Sequence, residues 1–333
     1  MVLSRRPEAI QEAVMRLAAL LLSIVLPLAA EGDFDLLIQD MDRNYSHFDT
    51  AGVDWEALTA KYRPRAEAAK SADEFLVAIG EMLAELKDIH VWIQTADGKT
   101  VGTFVSIPKP NYNYRAVGKR LKDVNQSGKL AFSGRTEEGY GVVAIGSLQG
   151  EDALFQRIDE AIAGLLDAPG LIVDLRGNAG GDERRAQWLA GRFTDKPIVY
   201  ARSRFRNGPG HDDFGEMNDR VVEPRGGEAY TRPIVCLIGP VCMSSGEGFA
   251  KLMKALPQVT LVGQTTRGAS GNPQPVKLAN GLSVFYSRWQ DLLPDGTPTE
   301  GKGIAPDVVV EHVGEGDPTF EAAVQELTRR LEK

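Results

Sequence analysis

The chain has 333 residues, 43% of them hydrophobic and 25% charged, a size and balance that bury a substantial core as one large domain or two. Its 46 acidic and 38 basic side chains leave a formal charge of -8, which argues against a nucleic-acid partner, because such proteins carry a basic patch. Two cysteines cannot form a disulfide framework and no Cys/His spacing resembles a zinc site, so no metal or other cofactor is expected.

At the N-terminus, Leu17 to Ala30 is an uncharged run of 14 residues, preceded by Arg16 and ended by the small residues Ala29 and Ala30. It is too short to cross a bilayer comfortably. Its shape is that of a secretory signal over residues 1–30, which predicts an exported protein, periplasmic or secreted, with no integral membrane span in the mature chain. Glu8 and Glu12 fit such a signal poorly, and a start at Met15 makes it more compact.

Residues 31–95 read as a helical subdomain. Phe34, Leu36, Leu37 and Met41 suit one face of a first helix, and Trp55, Leu58 and Tyr62 mark a second that stops near Pro64. Ser71, with Glu74 at the capping-box position, opens a third through Phe75, Ile79, Met82, Leu83 and Leu86. His90 stands just past it, where the pattern becomes strand-like at Val91 and Ile93.

Residues 96–333 alternate strands and helices, which implies an α/β core. Strands are predicted over 140–148, 171–175, 234–238, 259–262, 282–289 and 308–310. Helices are predicted over 151–166, from the glycine turn to about Phe193, over 246–256 and over 318–332. Residues 202–227 read as one long irregular segment, of the kind that often borders an active site. Within it, Arg202, Arg204 and Arg206 read as a solvated face. Cys236 and Cys242 lie in an apolar stretch and read as buried free thiols, with a disulfide across a tight reversal as the alternative.

Two strand-to-helix turns carry the chemistry. Asp174-Leu175-Arg176-Gly177-Asn178-Ala179-Gly180-Gly181-Asp182 follows a buried strand. Glycines there either make a plain tight turn or aim unpaired N–H groups at an anion or oxyanion. Gly239-Pro240-Val241-Cys242-Met243-Ser244-Ser245-Gly246-Glu247 follows another. A serine at a helix start is either an N-cap or a nucleophile favoured by the helix dipole, and two serines allow both.

These segments resemble peptidases of the carboxy-terminal-processing, or tail-specific, family. That family has an Asp-Leu-Arg-x-Asn-x-Gly-Gly turn, a Ser-x-x-Glu/Asp helix start, a Val-Gly-x-x-Thr-x-Gly turn and a late Glu-Gly-x-Gly-Val-x-Pro-Asp stretch. Here these are Asp174 to Gly181, Ser244 to Glu247, Val262 to Gly268, and Glu300 to Asp307. Leu86-Lys87-Asp88-Ile89-His90 resembles the Leu-x-Asp-x-His of the tricorn-like branch.

The resemblance implies a ClpP/crotonase-like α/β core with an N-terminal helical bundle subdomain. It also implies a serine peptidase acting on peptide or protein substrates. Most members use a Ser–Lys dyad, but the lysine slot is Ala269, and the neighbouring Arg267 is a poor base because a guanidinium stays protonated. By the tricorn pattern, Ser244 is the nucleophile, His90 the base and Glu300 the supporting carboxylate. The oxyanion donors are then the amides of Ser245 and Gly180, possibly with Gly181. The serine that precedes histidine in tricorn is Ile89 here. Asp88 is either part of this motif or a turn cap.

Only 49 residues separate His90 from the strand at Tyr140, fewer than a full PDZ domain needs, so none is expected. Two rivals use related folds. One is a non-catalytic carrier of apolar ligands or peptides, which the absent lysine favours. The other is an acyl-CoA enzyme, against which the lack of a basic cluster for the CoA phosphates argues.

Overall fold

The computed structural model describes residues 32–311 and 316–332. The expected export signal, the alternative start at Met15 and His312 lie outside the described residues. Two compact units emerge.

The first comprises described residues 32–105 together with Arg206–Asp213 and Pro273–Arg288. Helical residues 32–44 are followed by helices Phe48–Ala51, Trp55–Glu67 and Ala72–Ala84. Phe34, Leu37 and Met41 are fully buried, whereas Leu36 is exposed; two residues on from Phe34 lies the far side of a helix, so Leu36 leaves the predicted stripe. Pro64 sits inside helix Trp55–Glu67 instead of ending it. Ser71 caps helix Ala72–Ala84 by accepting from the Glu74 amide, while the Glu74 carboxylate reaches the amide of Lys70 and not that of Ser71.

A four-stranded antiparallel sheet completes this unit, in the order Pro273–Lys277, Ser283–Ser287, Trp92–Gln94, Thr100–Gly102. The boundary expected after residue 95 therefore falls elsewhere, and the unit is not purely helical. Its two late strands arrive through pairings such as Trp92 with Phe285, which local periodicity does not display. Arg206, read as solvated, is buried here and donates to the carbonyls of Tyr45 and Asp42.

The second unit holds the remainder. Its seven-stranded sheet runs Val308–Val309, Val259–Gly263, Ile234–Ile238, Leu171–Asp174, Gly141–Ile145, Ala131–Arg135, Lys122–Ser127. The first five strands are mutually parallel and the last two antiparallel. Leu171–Asp174 and Ile234–Ile238 are buried at every position. Helices Asp152–Ala163, Glu183–Ala190, Ser245–Ala255 and Pro318–Leu331 bury apolar faces, and Phe249 and Phe320 have no exposed surface. Burying each such ring contributes about 2–3 kcal/mol.

The interval after His90 is filled by the two short strands of the first unit, a helix Tyr114–Lys119 and the two antiparallel edge strands. The predicted strand 282–289 divides at Arg288. Ser283–Ser287 belongs to the four-stranded sheet, and Trp289–Leu292 joins Ile198–Phe205 and Asn218–Val222 in a three-stranded one. The segment expected to be irregular is strand only over 202–205 and 218–222. Cys236 and Cys242 are buried free thiols, and no helix among the described residues is long and apolar enough to cross a membrane.

Candidate active site

In a parallel sheet, ligand sites form beyond the carboxyl ends of the strands. The glycine turn leaves the end of Leu171–Asp174, and the serine turn leaves the end of its neighbour, Ile234–Ile238. Asn178 ties them together. Its Nδ2 donates to the Ile145 carbonyl at 3.0 Å and its own carbonyl accepts from the Met243 amide at 3.0 Å.

Ser244 stands at the head of helix Ser245–Ala255 with φ 56 and ψ -131. This is a left-handed region that a non-glycine residue occupies at a cost of about 1–3 kcal/mol, and such strain gathers at functional sites. Its side chain caps nothing, and among the described residues its hydroxyl makes no hydrogen bond. The backbone is held from outside the helix, since the Ser244 amide donates to the Ala269 carbonyl at 2.7 Å. Ser245 does not cap either; its hydroxyl donates to the Gly181 carbonyl at 2.6 Å.

Gly180 packs directly on the serine. A Cβ there would lie 2.7 Å from the Ser244 Cβ, and φ is +92, so no side chain fits. The Gly180 amide donates to Asn178 Oδ1 at 2.9 Å. It is therefore engaged, contrary to its expected part as an oxyanion donor. The amides of Gly181 and Ser245 donate to no group among the described residues.

Glu247, fully buried, holds the turn behind the serine. Its carboxylate accepts from Thr266 Oγ1 at 2.5 Å and from the amides of Gly268 and Ala269 at 2.7 and 2.9 Å. Burial pushes its pKa up, against the opposing pull of these bonds. Glu300 lies close to the same turn, where its Oε2 accepts from the Ser270 amide at 2.8 Å and the Ser270 hydroxyl at 3.3 Å. The sequence reading did not single out Ser270, although it follows the slot where the family keeps its lysine. The buried lysine of this region is Lys251, whose Nζ meets Asp291 and donates to Thr299 Oγ1 at 3.0 Å.

Ser244, Ser245, Gly180, Gly181 and Glu300 all belong to the second unit, and His90 to the first. His90 is buried beside Asp88, whose Oδ1 accepts from the His90 amide at 2.7 Å. Asp88 thus caps the turn. Burial pushes the His90 pKa down, although the Asp88 charge opposes the shift.

Comparison with known proteins agrees with this architecture. Residues 28–84 match the tricorn protease C1 domain. The carboxy-terminal processing protease CtpA of Bacillus subtilis is 28% identical over 144 residues, which are 43% of this chain and 29% of that relative's length. The chain therefore spans less than a third of this curated relative. A putative peptidase from Parabacteroides merdae superposes with a TM-score of 0.77 at 29% identity, covering 90% of this chain and 96% of that one. The tricorn protease shares the fold, with a TM-score of 0.59 at 16% identity over 92% of this chain and 37% of that one. Residues 139–310, more than half of the chain, match the model of peptidase family S41. The chain belongs to peptidase family S41.

Proposed function

We propose that this protein is a serine-type peptidase of the tail-specific kind, with Ser244 as nucleophile, His90 as general base and the amides of Ser245 and Gly181 as oxyanion donors. Ser244 Oγ attacks the substrate carbonyl carbon while its proton passes to the His90 imidazole. The peptide C–N bond breaks as His90 gives that proton to the leaving amine. Water, deprotonated by the same imidazole, then hydrolyses the acyl ester and restores the hydroxyl. Each amide aimed at the developing oxyanion contributes roughly 3 to 4 kcal/mol.

The observation that supports this reading best is the strained backbone of Ser244, packed on Gly180. A serine that merely began a helix gains nothing from this geometry. Gly181 takes the donor role that the motif assigns to Gly180, because Asn178 holds the Gly180 amide. Glu300 acts on the site through Ser270. The substrate is a peptide or protein, and the export reading rests on the apolar run 17–30, which sequencing of the mature N-terminus tests.

A fluorophosphonate probe tests the activity. Labelling is expected in the wild type and absent in Ser244→Ala and His90→Ala, with a peptide library cleaved in parallel. An unlabelled wild type that binds apolar ligands or peptides without cleaving them sinks the peptidase and leaves a carrier on this fold.

A further inference from the structure

We propose that His47 is a positioning residue for the base, holding through the shared carboxylate of Asp88 both the backbone of His90 and the charge balance that keeps its imidazole a neutral acceptor. The inference rests on the reading of His90 as base. Its starting point is a buried cluster in the first unit that joins His47, which no motif marks, to the motif residue Asp88. Lys87 takes a left-handed conformation, φ 53, so the chain reverses and Asp88 turns back to bind the His90 amide. The other carboxylate oxygen, Oδ2, faces His47 Nδ1 at 3.5 Å, the Tyr45 hydroxyl at 3.0 Å and the Ser287 hydroxyl at 3.3 Å. His47, Asp88 and His90 are 3%, 7% and 5% exposed.

A carboxylate so buried needs a cation within reach, because an unpaired buried charge costs several kcal/mol. The charged groups nearby are already occupied. Arg206 donates to backbone carbonyls of Tyr45, Asp42 and Gly208, His211 pairs with Asp42, and Arg288 pairs with Asp40. Among the described residues, the imidazoles of His47 and His90 are left to balance Asp88. Burial would raise the Asp88 pKa, yet the hydrogen bond and charge of His47, with His90, hold it down at about 2. Of the two rings, that of His47 has its Nδ1 at ion-pair distance from the carboxylate, whereas His90 meets Asp88 through its backbone amide. The charge therefore falls to His47. The imidazolium–carboxylate pair leaves His90 neutral and ready to accept a proton, with its backbone pinned by Asp88.

The experiment is nitrogen NMR of the imidazoles in the full chain, which has four histidines. Near pH ~7, where an ordinary histidine is mostly neutral, His47 is expected to show the doubly protonated signature and His90 the neutral one. His47→Gln removes the cation but not the carboxylate, so His90 should protonate at a pH higher by about one unit, a tenfold change. Asp88→Asn should move it the other way. A neutral His47 in the wild type overturns the proposal, and so does a His90 titration unmoved in a folded His47→Gln protein. If that variant does not fold, the wild-type spectrum alone decides. Probe labelling of Ser244 runs in parallel. Loss of labelling in the wild type ends the peptidase reading, while the spectra still judge His47 independently.

Discussion

Gly180 and Ser244 approach each other so closely that a methyl group on residue 180 would sit 2.7 Å from the serine Cβ. Gly180→Ala adds that clash to a φ of +92 that side chains rarely adopt. Strain of about 1–3 kcal/mol follows, along with displacement of the serine. We expect at least a tenfold loss of probe labelling, since about 1.4 kcal/mol is tenfold in rate. Labelling kinetics and urea unfolding measure the two effects. An alanine variant with wild-type labelling would show that the contact does not govern the nucleophile.

Glu247 braces the turn that in turn fixes the Ser244 amide. Glu247→Ala strips acceptors from the Thr266 hydroxyl and from the amides of Gly268 and Ala269. Each orphaned buried donor costs about 1–3 kcal/mol, so the variant should lose at least 3 kcal/mol of stability together with its activity. Glu247→Gln keeps an acceptor oxygen and avoids a buried charge, and should fall between the two. Chemical denaturation with parallel activity assays checks the ranking.

Arg176, with no exposed surface, joins Asp174 to Asp317 at the start of helix Pro318–Leu331, through bonds of 2.6 and 2.7 Å. Removing one member of a buried ion network costs about 3–5 kcal/mol, because the partners remain charged and unpaired. Arg176→Met should lose this much, and a double variant with Asp317→Asn should recover part of it. A fully additive double-mutant cycle would contradict the linkage.

Acid should destabilise the protein. The Asp88 pKa is about 2 in the fold against an ordinary 3.8. Its contribution is therefore complete above 3.8 and is lost as pH falls towards 2, about 2 kcal/mol in all. His90 lies below its ordinary 6.5, so below that pH the unfolded chain takes up a proton that the fold resists, and stability falls. Both slopes have the same sign. Urea midpoints should decline from pH ~5 down to ~3, below the range where protonation of His47 offsets that of His90, and a flat profile there counts against Asp88 being buried as described.

The α/β alternation, the glycine and serine turns after buried strands, and the family motifs are legible along the chain, because each is local. Strand burial shows as a continuous apolar run, a tight turn requires glycine at particular places, and the motifs are contiguous. Other features come from long-range packing. The strain at Ser244, the capture of the Gly180 amide by Asn178, and the bonding of Glu300 to Ser270 depend on which segments the sheet brings side by side. Asp88 and His47 stand 41 positions apart, and Ser287 lies far beyond both, on a strand that crosses into the first unit. Periodicity reports which face of an element is buried. It carries no record of which distant side chain will be waiting there, since that is set by long-range strand pairing and packing.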